Sequence, residues 1–254
     1  ALFDSGVGQL SVYLEVKKLL PNESFVIFAD QNNMPYGEKT STQIKNYVEA
    51  ATEYLIKKHN IKMMILACNT ATVLALDHLR SKFNIPFVGV VPAIKPAVEI
   101  SKTKRIVIMS TQATAKSSYV EKLIKDVAVN FEVLKLGCPG LEDAVETLNN
   151  KEISRLVKKY SRYVNAFNPD VVVLGCTHYP LVKKQIKESL KPGIYVIDSG
   201  SAVAKQADKV LTNLGLESLE KNKDIFYTTG DAKNFSKIAS TLLSTKISAV
   251  KINP

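Results

Sequence analysis

The sequence predicts an α/β fold with two similar halves, each built around a mainly parallel sheet. First, short apolar runs alternate along the chain with longer amphipathic stretches, which is typical of strands joined by helices. Second, the runs at 63–66 (Met-Met-Ile-Leu) and 171–174 (Val-Val-Val-Leu) are apolar at every position, as expected for central strands of a parallel sheet. Third, the residues that follow these strands repeat in pairs.

The strands are predicted where short runs rich in β-branched and aromatic residues occur, and the helices where apolar residues recur at helical spacing over longer stretches. The predicted strands are 1–3, 24–29, 62–66, 87–90, 105–109, 131–136, 171–174, 195–197 and 224–227. The predicted helices are 10–20, 41–59, 70–83, 116–127, 151–167, 181–190, 202–214 and 234–243.

Two short motifs occur twice, each time directly after a predicted strand. Ala-Cys-Asn-Thr at 67–70 is matched by Gly-Cys-Thr-His at 175–178, and Asp-Ser-Gly at 4–6 is matched by Asp-Ser-Gly at 198–200. The spacings of the two pairs differ, which excludes a simple tandem repeat. In parallel α/β sheets, ligands bind beyond the carboxyl ends of the strands. The pattern therefore favours two α/β halves whose strand-end loops face each other.

Both repeated cysteines, Cys68 and Cys176, precede a predicted helix. The N-terminus of a helix offers unpaired N–H groups and a partial positive charge, which stabilise a thiolate and lower the pKa of the thiol. A single buried cysteine is most often a small apolar residue. Two matched thiols are what the inversion of a carbon stereocentre needs, because one group must remove the Cα proton and another must deliver a proton to the opposite face.

Composition narrows the class of protein. The chain has 254 residues and a formal net charge of +10, but its lysines are scattered and no aromatic-basic motif is present, so no nucleic-acid partner is expected. The positive field instead favours an anionic substrate. No apolar run is long enough for a membrane span. The three cysteines predict thiols rather than a disulfide framework, and therefore a cytoplasmic protein without a signal peptide.

Other interpretations of these residues remain open. The loop 4–10 begins like a phosphate-binding loop but lacks the third glycine of that motif. Cys176 and His178 are a possible metal pair, although the usual partner spacings are missing. A Cys–His–Asp hydrolase built on Cys176 would leave Cys68 unexplained. A pyridoxal phosphate enzyme is also possible, but no lysine is marked out for the Schiff base.

Five separated motifs together resemble the glutamate racemases, in the aspartate/glutamate racemase superfamily. Tyr-Thr-Thr-Gly-Asp at 227–231 also fits, so the resemblance extends from Ala1 to at least Asp231. Gln9 departs from it, since the family usually has glycine there. The five motifs are Phe-Asp-Ser-Gly-Val-Gly at 3–8, Pro-Tyr-Gly at 35–37, Ala-Cys-Asn-Thr-Ala at 67–71, Gly-Cys-Thr-His-Tyr-Pro-Leu at 175–181 and Asp-Ser-Gly at 198–200.

The resemblance implies a fold, a reaction and a set of partners. The two α/β domains would be 1–92 plus 204–254, which carries Cys68, and 93–203, which carries Cys176, with the active site in the cleft between them. The enzyme would interconvert L- and D-glutamate without pyridoxal phosphate, metal or other cofactor, and would supply D-glutamate for peptidoglycan. A homodimer is expected, with no membrane partner. The alternatives are a racemase of aspartate or a related acidic amino acid, and a non-catalytic relative that binds an acidic metabolite.

The resemblance also implies roles for individual residues. Cys68 would act on D-glutamate and Cys176 on L-glutamate, assisted by Asp4 and His178 respectively. Asp30 and Glu146 are suspected accessory groups, with a solvated or helix-capping role as the alternative for each, and Cys138 is interpreted as structural. The residues expected to line the substrate site are Asp4, Ser5, Pro35, Tyr36, Gly37, Asn69, Thr70, Thr111, Thr114 and Thr177.

Overall fold

A computed structural model describes residues 1–220 and 222–254, and within them strands alternate with helices as predicted. Three short 3₁₀ turns, Gln31–Asn33, Tyr36–Glu38 and Tyr179–Val182, join some of these elements. The strands are β1 Leu2–Asp4, β2 Val26–Ala29, β3 Met64–Leu66, β4 Phe87–Gly89, β5 Arg105–Ser110, β6 Glu132–Gly137, β7 Val171–Gly175, β8 Tyr195–Ile197, β9 Ile225–Thr228 and β10 Ala249–Lys251. The helices are α1 Gln9–Leu19, α2 Ser41–His59, α3 Asn69–Lys82, α4 Ile94–Ile100, α5 Gln112–Lys116, α6 Ser118–Val127, α7 Leu141–Glu146, α8 Asn150–Phe167, α9 Lys183–Glu188, α10 Gly200–Leu214 and α11 Ala232–Leu243.

The described residues divide into two compact units, 1–90 with 200–254 and 91–199. The expected boundaries after 92 and 203 lie two and four residues further along the chain. Residues 200–203 belong to the first unit because α10 begins at Gly200 and continues unbroken to Leu214. In the described part of the chain, no helix is both long and apolar enough to cross a membrane.

The first unit contains a six-stranded sheet in the order β10-β9-β2-β1-β3-β4, and every pairing in it is parallel. Strand β1 lies at its centre, with Phe3 paired to Phe28 on one side and to Leu66 on the other. These three side chains are fully buried and belong to one apolar cluster. Burial of such side chains contributes about 1.5–3 kcal/mol each, so the middle of this sheet is a rigid base for the loops at its edge.

The second unit contains a four-stranded parallel sheet in the order β6-β5-β7-β8. Ser110, at the end of β5, pairs with Gly137 on one side and with Gly175 on the other, so three strands end at the same level. A Cβ on Gly175 would lie only 3.1 Å from the side chain of Ile108. Glycine therefore allows β7 to end close against β5. This close packing determines the position of the next residue, Cys176. The prediction of two α/β halves with mainly parallel sheets is confirmed.

Four elements were not predicted: α4, α5, α7 and β10. Pro96 is the third residue of α4, and the first turn of a helix tolerates a proline because its N–H groups have no partner within the helix. α5 and α7 have only five and six residues, too few for a periodic pattern. The predicted helix 116–127 begins at Ser118 because the Ser117 side chain caps it, and the predicted helix 181–190 is a 3₁₀ turn followed by the short α9.

Candidate active site

In the first unit, Cys68 lies where β3 passes into α3. It is the N-cap residue of α3 and is 5% exposed, so the expected placement at a helix N-terminus is confirmed for this cysteine. Asn69 and Thr70 form the first turn of α3, and both are buried. The side-chain amide of Asn69 donates to the carbonyl of Val90 at 3.4 Å, which ties the start of α3 to the end of β4. The thiol is thus held by two strands and a helix.

Asp4 ends β1, the strand beside β3, and is fully buried. Its carboxylate accepts hydrogen bonds from the backbone N–H of Ser5 at 2.7 Å and from the Ser5 hydroxyl at 3.3 Å. The backbone N–H of Ala67 donates to the carbonyl of Phe3 at 2.8 Å, so the segment leading to Cys68 continues the pairing with β1. Asp4, Ser5 and Cys68 therefore lie at the carboxyl ends of adjacent strands.

Asp30, which follows β2, organises the third loop of this edge. Its carboxylate accepts from the Tyr36 hydroxyl at 2.6 Å, from the Thr229 hydroxyl at 2.9 Å and from the Asn33 amide at 3.0 Å. Burial, followed by the charge of Asp30, raises the pKa of Tyr36 well above its ordinary value, and the nearby Cys68 and Asp4 add to the shift. Tyr36 is therefore a neutral phenol whose proton is donated to Asp30, close enough to Cys68 and Asp4 to respond to their charges. Its neighbours Pro35 and Gly37 are half-buried.

In the second unit, Cys176 follows β7 and belongs to a linear arrangement of three buried side chains. The Cys176 sulfur lies 3.8 Å from Nδ1 of His178, and Nε2 of His178 lies 2.8 Å from a carboxylate oxygen of Glu146 at the end of α7. Burial alone lowers the pKa of His178, but its hydrogen bonds to Cys176 and Glu146 together raise that pKa well above the ordinary value. His178 thus lies between a carboxylate and a sulfur, and both favour its protonated form.

The expected lowering of the thiol pKa is wrong for Cys176. Its pKa is raised because complete burial disfavours the thiolate, and the hydrogen bond and charge of His178 offset this only in part. The sequence-based argument relied on a following helix, but the residues after Cys176 form the 3₁₀ turn Tyr179–Val182 and not the start of an α-helix. A raised pKa makes the Cys176 thiolate a stronger base whenever it forms.

Thr111, Thr114 and Thr177 complete the group of expected residues in the second unit, and all three are buried. Thr111 follows β5 and caps α5, accepting from the backbone N–H of Thr114 at 3.2 Å, and the two hydroxyls lie 3.1 Å apart. Thr177 directly follows Cys176. Because β5 and β7 are paired to their last residues, these threonines and Cys176 share one edge of the sheet.

Three features near the carboxyl ends of the strands in the two sheets were not predicted. Thr229 and Asn33 bind Asp30, although only the Tyr-Thr-Thr-Gly-Asp motif drew attention to that region. Glu142 is buried on α7, four residues before Glu146, and its charge raises the pKa of Cys176. Gln9, noted in the sequence only as a departure from the family pattern, is completely buried.

Cys138 has the structural character that was expected. It follows β6, is fully buried in the apolar cluster of the second unit, and has a pKa raised chiefly by burial. All three cysteines lie in the described part of the chain, and none forms a disulfide. Within the described residues, no group of three or more His, Cys, Asp and Glu side chains is placed to hold a metal ion.

Known proteins with similar sequences and folds are racemases. The family model for Asp/Glu/Hydantoin racemases matches residues 11–207. A glutamate racemase from Herpetosiphon aurantiacus is 36% identical over 245 residues, covering 95% of this chain and 96% of its own. The crystal structure of a glutamate racemase isoform from Bacillus anthracis has a TM-score of 0.91 and 30% identity, covering 99% of this chain and 96% of its own.

A third similar protein is the Escherichia coli glutamate racemase, solved with L-glutamate and the activator UDP-MurNAc-Ala. It has a TM-score of 0.85 and 31% identity, covering 95% of this chain and 94% of its own. The family match covers most of the chain, and the fold similarity extends over both units. The chain therefore belongs to the Asp/Glu/Hydantoin racemase family, with the glutamate racemases as its relatives.

Proposed function

We propose that this protein racemises glutamate by a two-base mechanism in which Cys68 and Cys176 exchange protons with Cα. The observation that carries the proposal is that each unit places one cysteine directly after a central parallel strand, Cys68 at a helix N-terminus beside the strand that ends in Asp4, and Cys176 beside His178. Two thiols in equivalent positions suit a reaction that must be served from both faces of one carbon atom.

In the proposed reaction, one thiolate removes the Cα proton while the other cysteine, as a thiol, delivers its own proton to the opposite face. The bond from Cα to hydrogen breaks on one side and a new one forms on the other, so the charge states of the two cysteines are exchanged after each turnover. Following the resemblance, Cys176 deprotonates L-glutamate and Cys68 deprotonates D-glutamate. The His178 imidazolium stabilises the thiolate of Cys176, and Asp4 assists Cys68.

The substrate is proposed to be held by neutral donors and by helix N-termini, which bind carboxylates through backbone N–H groups. Asn69 and Thr70 support this part because both are neutral, buried and lie in the first turn of α3. The residues proposed to contact glutamate are Asp4, Ser5, Pro35, Tyr36, Gly37, Asn69, Thr70, Thr111, Thr114 and Thr177.

The activity is tested by following the optical rotation of L- and D-glutamate with protein dialysed against a chelator and treated with a carbonyl reagent. We expect racemisation of both enantiomers at undiminished rates, and much slower turnover of aspartate. Activity that depends on added metal or pyridoxal phosphate, faster turnover of aspartate, or no turnover of either amino acid would contradict the proposal. Hydrolysis of acyl compounds without racemisation would favour the cysteine hydrolase alternative.

The biological setting follows from the same proposal. D-glutamate produced by this reaction would be supplied to peptidoglycan synthesis in the cytoplasm, where the three cysteines remain thiols. A homodimer is proposed from the family resemblance. Light scattering after size-exclusion chromatography measures the mass directly, and the 254-residue chain should elute at about twice its own mass.

Glu146→Gln is expected to make the Cys176 step more sensitive to alkaline pH. Glu146 is one of the two groups that raise the pKa of His178, so its neutralisation lowers that pKa, and His178 loses its proton at a lower pH. The neutral imidazole no longer stabilises the Cys176 thiolate. The alkaline limb of L-glutamate turnover should therefore move to lower pH.

The matched control for Glu146→Gln is Glu49→Gln. Glu49 of α2 also lies within hydrogen-bond distance of a histidine, since its carboxylate is 2.6 Å from Nε2 of His78 on α3. This pair is partly exposed, whereas Glu146 and His178 are buried. This variant should have the pH profile of the wild-type protein. An unchanged alkaline limb in Glu146→Gln, or the same shift in Glu49→Gln, would contradict the role assigned to Glu146.

A further inference from the structure

Gln9 is the first residue of α1 and is completely buried, although glutamine is usually exposed. Its side-chain amide donates two hydrogen bonds, to the carbonyl of Gly6 at 3.1 Å and to the carbonyl of Phe28 at 3.0 Å. Gly6 belongs to the loop between β1 and α1, whereas Phe28 belongs to the neighbouring strand β2. A single side chain thus connects the loop that follows Asp4 to the adjacent strand.

The connection lies close to the carboxylate proposed to assist Cys68. Asp4 is two residues before Gly6, and its carboxylate is oriented by the N–H and hydroxyl of Ser5, the residue between them. Phe28 is fixed because it pairs with Phe3 in the centre of the sheet and stacks on it. Through Gln9, Gly6 is therefore connected to the buried middle of the sheet of the first unit.

The side-chain oxygen of Gln9 indicates that a gain in stability alone does not explain why glutamine is present at this position. The Gln9 oxygen Oε1 is buried and has no hydrogen-bond partner among the described residues. A buried acceptor without a partner lowers the stability of the fold. The two donated hydrogen bonds offset this cost, and what they fix is the conformation of the loop 5–8.

We propose that Gln9 is a positioning residue for the Cys68 half of the reaction: it fixes the loop 5–8, which contains Ser5 and directly follows Asp4, at the strand ends where Cys68 lies. The inference rests on the proposed function and deepens it. Loss of the two hydrogen bonds should let Gly6 move away from β2, and Ser5 and the Asp4 carboxylate should move with it. The step catalysed by Cys68 should slow more than the step catalysed by Cys176 in the other unit.

The test separates the two steps with the D- and L-enantiomers of a single diastereomer of 3-chloroglutamate. A thiolate removes the Cα proton, chloride leaves Cβ with the bonding electrons, and the resulting enamine is hydrolysed by water to 2-oxoglutarate and ammonium. Each enantiomer needs only one cysteine. The enantiomer served by Cys68 is identified as the one that Cys176→Ser still converts, and chloride release gives both rates.

The variant to measure is Gln9→Leu, which keeps most of the side-chain volume and removes both donors. Its matched control is Gln185→Leu, because Gln185 also has a buried side-chain oxygen without a partner among the described residues, but lies on α9 of the second unit. Gln9→Gly is measured in parallel, since it restores the usual residue of the family and adds no apolar group. The ratio of the two rates within one preparation is independent of the folded fraction.

In Gln9→Leu, we expect chloride release through Cys68 to fall by about tenfold or more relative to release through Cys176, because small displacements of catalytic groups have effects of this order. Gln185→Leu should keep the wild-type ratio. The proposal is overturned if Gln9→Leu and Gln9→Gly are both active and keep the wild-type ratio of the two rates of chloride release. It is also overturned if both rates fall equally. Either result leaves the proposed function intact. A wild-type protein that converts neither enantiomer would overturn the proposed function itself.

Discussion

Cys68→Ser and Cys176→Ser are each expected to abolish racemisation in both directions, by about 10³-fold or more, since proton transfer by a positioned group contributes about 10²–10⁴-fold. Serine is nearly isosteric with cysteine, so packing should change little, but its hydroxyl is a far weaker acid and forms almost no alkoxide at neutral pH. Because each turnover uses one thiolate and one thiol, the loss of either one blocks L-to-D and D-to-L conversion equally.

The two serine variants should differ in one respect, namely which enantiomer of 3-chloroglutamate they still convert. Cys176→Ser keeps the base that serves the D-enantiomer, and Cys68→Ser keeps the base that serves the L-enantiomer. Cys138→Ser is the control, because Cys138 is fully buried in the apolar cluster and has no proposed part in proton transfer. It should lose some stability but keep racemase activity. Near-wild-type racemisation by either of the first two variants would exclude the two-thiol mechanism.

His178→Asn is expected to lower racemisation by about 10²-fold, the lower end of the range for a residue that takes part in proton transfer. Asparagine keeps a polar group near the position of Nδ1 but carries no charge. Without the imidazole, the side-chain hydrogen bond and the charge of His178 no longer offset the burial that raises the pKa of Cys176, so the thiolate becomes scarcer. Chloride release from the L-enantiomer of 3-chloroglutamate should fall with racemisation, whereas release from the D-enantiomer should not.

The control for His178→Asn is His78→Asn, which removes the other histidine that lies within hydrogen-bond distance of a glutamate. His78 is partly exposed on α3, ten residues after Cys68, and its side chain pairs with Glu49 of α2, so its loss should leave both rates unchanged. If His178→Asn slows the two enantiomers equally, His178 supports the fold of the second unit and has no specific part in the Cys176 step.

The fold was predictable from sequence because the signals that determine it are local. The apolar runs before Cys68 and Cys176 mark strands β3 and β7, and the polar residues after them mark the functional edge of each sheet. Short elements were missed because the five residues of α5 or the three of β10 cannot show a period. The order of the strands is also not encoded locally, since β2 pairs with β9, which lies nearly 200 residues further along the chain.

For the candidate site, the sequence points to individual residues but not to their electrostatics. The motifs identified Cys176 and His178, and the geometry adds that His178 bridges to Glu146, 32 residues earlier in the chain. The pKa of Cys176 was predicted in the wrong direction because burial is a property of the whole second unit and is not visible in a tetrapeptide. Two points stay predictions: that the expected residues contact the substrate, and that both thiols act on the same substrate molecule.

The central claim, that one cysteine acts on each face of Cα, is tested most directly by racemisation in deuterium oxide. L-glutamate is supplied, the reaction is stopped at low conversion, and the two enantiomers are separated and analysed for deuterium at Cα. If two different thiols act, the D-glutamate formed carries solvent deuterium while the remaining L-glutamate keeps its proton, and the mirror result is obtained from D-glutamate. A product that retains the substrate proton, or a remaining substrate labelled as fast as product forms, would contradict the two-base account.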